Sequence, residues 1–243
     1  MNTIYKDILR SISRSEKLLA VLVDPDKMEV EYVSTFMTKV NQSIATHVFV
    51  GGSEVKEGQT EALVTEIKNH TKLPVLLFPG DIIQITDKAD GILFLSLISG
   101  RNPEYLIGKH VASISRLKKT KLEVIPTGYV LVASGNKTSV ELVSQTKPIK
   151  QEDIQVILDT VIAGEFLGMK LIYLEAGSGA THTVEPEIIQ NVKEEIGIPL
   201  IVGGGIRSKA QMSSAYNAGA DIVVIGTAFE EDESFFNEIK IGR

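Results

Sequence analysis

Apolar residues follow two rhythms along this chain. Ile4, Ile8 and Ile12 recur at every fourth position and mark one face of a helix over about residues 3–13. Leu18 to Val23 is then an unbroken apolar run, stopped by Asp24-Pro25-Asp26-Lys27. A run of that kind fits a strand buried on both faces, as a parallel sheet requires. The two rhythms go on to alternate. A helix is predicted over 29–40, a strand over 47–50 ending in Gly51-Gly52-Ser53, a helix over 60–70, and a strand over 74–78 closed by Pro79-Gly80.

The alternation then fails once. Only residues 81–90 separate the third strand from the next, at 91–97, and a parallel crossover needs a dozen or more residues. A short helical turn or an extended segment is expected there instead of a helix. A helix over 104–118 and a fifth strand over 122–125 follow. Residues 126–148 read as long and irregular, with a strand-like patch at 129–132. The pattern then resumes with helix 151–167, strand 170–174, helix 186–195, strand 199–202, helix 209–218, strand 221–225 and a last helix over 233–239.

Eight buried strands, nearly all followed by helices, predict an α/β fold: a single (β/α)8 barrel spanning residues 1–243, with its third helix missing or replaced by a short segment. An open doubly wound sheet is the alternative. In a barrel the strand ends share one rim, where active sites lie. That rim collects Asp24, Ser53, Pro79-Gly80, Glu175, Gly204 and Gly226-Thr227.

The glycine-rich ends of the last three strands are the strongest chemical signal. They are Glu175-Ala176-Gly177-Ser178-Gly179, Gly203-Gly204-Gly205 and Gly226-Thr227. Such loops let backbone N–H groups approach an anion, and barrels bind phosphate after their seventh and eighth strands. Tight turns alone would also use these glycines. Ser208 is placed to cap the helix after the second loop. Glu175, at the junction of strand and loop, is either a general base or the partner of a buried cation. Tyr173 points to the same side of its strand and either meets a substrate or fills the barrel. Asp24 is a turn residue or, with Ser53 beside it, an oxygen site for Mg2+. Lys27 is solvated or reaches a diphosphate. The four histidines show no ligand spacing, and His182 reads as a surface residue. Ile82, Ile83, Ile85, Leu97, Ile98, Tyr105 and Leu106 surround the missing helix and are expected to line an apolar groove, unless another subunit or the 126–148 segment covers it.

Composition removes several classes. A net charge of -6 without a long basic tract argues against nucleic acid. The absence of cysteine excludes disulfides and thiolate metal sites and suits a cytoplasmic protein. No apolar run reaches the roughly 20 residues of a membrane span, and Met1 to Arg14 lacks a signal-peptide core.

Six segments together resemble the geranylgeranylglyceryl and heptaprenylglyceryl phosphate synthases. They are Leu22-Val23-Asp24-Pro25-Asp26-Lys27, Val50-Gly51-Gly52-Ser53, Leu77-Phe78-Pro79-Gly80, Ser99-Gly100-Arg101-Asn102-Pro103, Tyr173-Leu174-Glu175-Ala176-Gly177-Ser178-Gly179 and Val202-Gly203-Gly204-Gly205-Ile206-Arg207. The Arg-Asn-Pro segment and the length are similar to the family's second group. The resemblance implies a Mg2+-dependent prenyltransferase that joins sn-glycerol 1-phosphate to a long allylic diphosphate. Geranylgeranyl diphosphate is the expected donor and heptaprenyl diphosphate the alternative. By the same resemblance Asp24 and Ser53 hold Mg2+. Tyr173, Leu174, Glu175, Ala176, Gly177, Ser178, Gly179, Gly204, Gly205, Gly226 and Thr227 bind glycerol 1-phosphate. Glu175 takes the proton of the attacking hydroxyl, with Tyr173 beside it. A homo-oligomer, dimer or hexamer, is also implied. Asp81 stands where the family pattern has a small polar residue. A sugar-phosphate isomerase or a non-catalytic binder of another small phosphate remains the alternative on the same scaffold.

Overall fold

Eight parallel strands close into a barrel in sequence order, β8 pairing back onto β1. The structure, a computed structural model, describes residues 3–231 and 234–241. The strands are β1 (Leu18–Val23), β2 (His47–Val50), β3 (Val75–Leu77), β4 (Gly91–Leu97), β5 (Glu123–Leu131), β6 (Leu171–Glu175), β7 (Leu200–Gly203) and β8 (Ile222–Ile225). Between them run α2 (Val33–Asn41), α3 (Gln59–His70), α4 (Lys109–Leu117), α5 (Ser139–Ser144), α6 (Ile154–Phe166), α7 (Pro186–Glu195) and α8 (Lys209–Asn217). α1 (Ile4–Ser13) precedes the barrel, and α9 (Thr227–Glu231) and α10 (Phe235–Glu238) follow it.

The unbroken apolar runs have the predicted cause. In β1, Leu18 and Ala20 face the barrel interior with Phe49, Leu76, Leu93, Ile201 and Ile222, whereas Leu19, Val21 and Val23 face the helices. Ile8 is buried with the interior group, and Ile4 and Ile12 pack against it, so the apolar face of α1 closes one end of the barrel. Thr3 caps α1 by accepting from the Lys6 N–H.

Where a third connecting helix would stand there is one 3-10 turn, Ile82–Gln84, capped by Asp81. β3 and β4 share two ladder pairs, Leu76 with Gly91 and Leu77 with Ile92, whereas β4 and β5 share seven.

Several expectations require correction. β5 does not stop before Pro126 but continues to Leu131. In a parallel ladder a residue's N–H and C=O address the same neighbour. The Pro126 carbonyl accepts from Lys170, one residue before β6 begins, so its missing N–H removes no strand-to-strand bond. The supposedly irregular segment that follows contains α5, whose N-terminus Thr138 caps by accepting from Glu141 N–H. The helix expected over 104–118 opens with a π-helical turn, Glu104–Gly108, before α4. The expected last helix is α10 alone; Glu233, its predicted start, lies outside the described residues, as do Met1 and Arg243. α9, directly after Gly226, was not foreseen from the pattern.

Candidate active site

The rim is assembled from strand ends that touch. Glu175 pairs with Leu131 on one side and Gly203 on the other. Its carboxylate turns into the barrel mouth, and Oε1 accepts the Gly177 N–H at 2.6 Å. The residue is only 6% exposed, and among the described residues no cation pairs with it. Of the two readings left open by the sequence, base or cation partner, the second finds no partner among the described residues. Burial pushes the Glu175 pKa up to about 7, with the Tyr173 phenol and the Gly177 N–H opposing part of that rise.

Three aromatic rings floor this carboxylate. Tyr173 is fully buried, its ring 5.3 Å from that of Tyr129 and 5.4 Å from that of Phe78. The Tyr173 hydroxyl leans toward Glu175 too loosely for a full hydrogen bond and is left without another partner. Burial and the nearby carboxylate hold both tyrosines well above the ordinary phenol range, so both stay protonated. Tyr129 and Phe78 were not recognised as site residues from the sequence, because their meeting with Tyr173 depends on strand register.

The glycines surround the carboxylate. Gly177, Gly179, Gly204 and Gly205 all have positive φ, a conformation that favours glycine. Ser178 and Thr227 bring their hydroxyls to 3.4 Å across the rim, tying the β6 loop to the end of β8. Arg207 donates to the Ala180 carbonyl at 3.0 Å and ties the β7 loop to the β6 loop. Ser208 caps α8 by accepting from Gln211 N–H, as predicted. Thr138 packs against Gly177, where a Cβ would fall 2.1 Å from its methyl group, so the cap of α5 roofs the phosphate-type loop.

Across the mouth stands a second group. The Asp24 carboxylate accepts the Asp26 N–H at 3.0 Å and lies 3.9 Å from the Lys27 ammonium. A Cβ at Gly52 would sit 2.4 Å from Asp24 Oδ1, so the glycine keeps that carboxylate open beside Ser53. These are hard oxygen donors. Among the described residues no set of three or more His, Cys, Asp or Glu is placed to hold a metal. Such a site fits Mg2+, which is satisfied by one or two protein oxygens plus phosphates and water, better than a metal needing a full protein cage. Asp81 caps the 3-10 turn and receives Lys109 at 2.6 Å. Burial alone would raise its pKa, but the Lys109 and Ile83 hydrogen bonds outweigh this and hold it below the usual range.

One cavity of about 570 Å³ joins both groups and extends down the flank that lacks a helix. Ile82, Ile85, Leu97 and Tyr105 line it as expected. Ile83 instead faces solvent, and Ile98 lies against Gly128 and Gly164 on the other side of β4. Leu106 is absent from the lining, its carbonyl accepting from Ser96. In their place Ile92 and Phe94 on β4, and His110 on α4, complete the apolar wall. The Phe94 and His110 rings meet edge to face at 4.4 Å. Burial lowers the His110 pKa, so the imidazole is neutral there. α5 lies over the groove, and the Tyr105 hydroxyl donates to the Val143 carbonyl at 3.1 Å. His182 is exposed, as expected.

The sequence profile of the PcrB family matches residues 11–242. The chain belongs to the PcrB family. Geranylgeranylglyceryl phosphate synthase from Flavobacterium johnsoniae is 54% identical over 237 residues, covering 98% of both chains. The enzyme of the same name from Thermococcus kodakarensis is 41% identical over 217 residues, 89% of this chain and 85% of that one. Among solved structures, (S)-3-O-geranylgeranylglyceryl phosphate synthase from Thermoplasma acidophilum, in complex with sn-glycerol-1-phosphate, superimposes with a TM-score of 0.92 at 32% identity, covering 98% of this chain and 95% of that one. The resemblance read from the sequence is thus shown, and with it the enzyme class, a prenyltransferase of the PcrB family. No helix among the described residues is long and apolar enough to cross a membrane.

With Glu175 as the base, which must be ionised to work, kcat/KM is expected to climb with pH through about 7 and level off above it. An acid limb centred near 4.5 in the pH profile would show that burial does not control this carboxyl.

Proposed function

We propose that this chain joins sn-glycerol 1-phosphate to geranylgeranyl diphosphate, giving the prenylglyceryl phosphate and diphosphate. The observation that carries the reading is the place of Glu175. A buried carboxylate with a pKa of about 7 and no cation partner among the described residues stands between a glycine-lined rim and an apolar groove. That is where a hydroxyl of the acceptor would meet the reactive carbon of the donor.

In this scheme the phosphate of glycerol 1-phosphate sits against the backbone of Gly177–Gly179, Gly204-Gly205 and Gly226-Thr227. Ala176, whose N–H donates to the Gly203 carbonyl, and Leu174, packed on the helix side of β6, hold that loop in place. The Tyr173 hydroxyl donates to an oxygen of the acceptor. The allylic C–O bond breaks, its electron pair leaves with diphosphate, and the acceptor oxygen bonds to the carbon. Glu175 takes the released proton. Asp24 and Ser53 would hold Mg2+, which when bound neutralises charge on the leaving diphosphate. Positioning and proton removal are then the protein's share of the work. The prenyl chain lies along Ile82, Ile85, Ile92, Phe94, Leu97 and Tyr105.

A cytoplasmic homo-oligomer, dimer or hexamer, completes the proposal. The lack of cysteine supports the first part. The exposure of Phe166 (85%) and Leu167 (77%) at the end of α6 supports the second, since large apolar groups there invite burial by another copy.

The test is transfer of labelled sn-glycerol 1-phosphate to a lipid-soluble product from farnesyl, geranylgeranyl and heptaprenyl diphosphates. It is run with Mg2+ and with EDTA. Metal-dependent product, greatest with geranylgeranyl diphosphate, is expected. A preference for heptaprenyl diphosphate would move the assignment to the longer donor. No product from any donor would sink the reading and return the site to a sugar-phosphate isomerase or a simple binder.

A further inference from the structure

The ion pair between Lys109 and Asp81 lies where the two halves of the cavity meet. Lys109, its side chain 28% exposed, donates through its ammonium to Asp81 Oδ2 at 2.6 Å and to the Gly80 carbonyl at 3.2 Å. It also stands 4.6 Å from the centre of the Tyr105 ring. Its backbone belongs to α4, outside the barrel, yet its charged end has come to the tip of β3. From there the rim is continuous. A Cβ at Gly80 would fall 2.5 Å from the Gly52 carbonyl oxygen and 3.1 Å from Ser53 Cα. A Cβ at Gly52 would fall 2.4 Å from Asp24 Oδ1. Gly80, Gly52 with Ser53, and the Asp24 carboxylate are therefore stacked in direct contact, and the ammonium sits at the outer end of that stack.

The charge balance of this end is unfavourable for an anion. Asp24, Asp26, Glu54 and Asp81 line the cavity here, against Lys27 and Lys109. One divalent cation would only neutralise that surplus, and a diphosphate brings further negative charge. Lys27 is 48% exposed and already stands near Asp24. Lys109 is the more enclosed of the two cations, and it is held by a carboxylate that a phosphate oxygen can replace like for like.

We propose that Lys109 binds the diphosphate of the prenyl donor, and that Asp81 is the counterion that keeps the ammonium at the rim until the donor arrives. This rests on the donor being a diphosphate, as proposed above. The exchange swaps one anionic oxygen partner for another, so the lysine needs no large movement. Tyr105 and the Gly80 carbonyl continue to orient it. Asp81 then competes with the donor for the same ammonium, and a neutral residue in its place makes that cation more available.

A purely structural strap between the 3-10 turn and α4 predicts something different. Removing either partner breaks the strap, so both substitutions would act in the same direction. The experiment measures inhibition by inorganic diphosphate with Mg2+, together with the KM of each substrate, in the wild type, Lys109→Gln and Asp81→Asn. Lys109→Gln is expected to weaken diphosphate inhibition and raise the donor KM about tenfold, the usual worth of a charge-assisted hydrogen bond. Asp81→Asn is expected to bind diphosphate at least as tightly as the wild type. The KM for glycerol 1-phosphate should stay unmoved in both. Unchanged diphosphate inhibition in Lys109→Gln, or a parallel loss in both variants, overturns the assignment of Lys109 while leaving the proposed function standing. A wild type that neither transfers prenyl groups nor binds diphosphate overturns the proposed function itself.

Discussion

Glu175→Gln is expected to lower turnover by about three orders of magnitude while leaving glycerol 1-phosphate bound, the scale expected for loss of a positioned general base. Gln keeps the side chain's size and can still accept the Gly177 N–H, so the rim should keep its shape. It cannot take the proton. The same substitution should stabilise the fold at alkaline pH. The folded-state pKa of Glu175 lies above its ordinary 4.5, at about 7. Its protonated form is therefore favoured by folding, a contribution fully present below about pH 4.5 and lost as pH rises through 7. At pH 8 the buried charge then costs on the order of 3 kcal/mol relative to a neutral group. Melting curves at pH 5 and pH 8 measure this: the variant should gain most over the wild type at pH 8. Equal gains at both values, or turnover within tenfold of the wild type, would remove Glu175 from the role of base.

Gly204→Ala should disturb the acceptor side of the rim through one added methyl group. Gly204 has φ +84, where an alanine costs about 1–2 kcal/mol. The added carbon would also fall 2.4 Å from Glu175 Oε1, 2.6 Å from the Gly177 nitrogen and 2.8 Å from the Ala176 nitrogen. All three belong to the acceptor side of the site, and two are backbone atoms that cannot swing away. Something in the catalytic junction must shift, so glycerol 1-phosphate binding is expected to weaken on the order of 100-fold, about 2.7 kcal/mol. Gly168→Ala provides the comparison. It too has positive φ, +92, but a Cβ there meets nothing within 4 Å. It should lose a similar amount of stability and keep its activity. Equal binding losses in the two variants would mean that strain, not crowding of Glu175, is responsible.

The barrel was legible because its strands are buried on both faces. Leu18 to Val23 or Leu171 to Leu174 cannot sit with one face in water, and runs of that kind repeated eight times leave few architectures. The missing helix was legible by counting, since ten residues are too few for a crossover. Glu175 could be singled out because it alone interrupts apolar strand and glycine loop at their junction. Pro126 misled because a proline normally ends a central strand, and nothing local shows that its neighbour has not yet begun. α5 was hidden because six residues carry too little periodicity to stand out from a loop. Tyr129, Phe78 and His110 were invisible for another reason. Each owes its place to strand register or to how α4 lies across β4, and neither is written in the spacing of a single segment.

The two ladder pairs between β3 and β4 bear on how an oily substrate travels. A tunnel must be threaded end first, and every added isoprene unit then lengthens the passage. A trough along the outside of a lightly stitched seam can be filled broadside, the chain laid in or peeled away along its length. On the proposed reading the water-soluble acceptor would come and go through the mouth of the barrel, and the donor through its side, beneath α5.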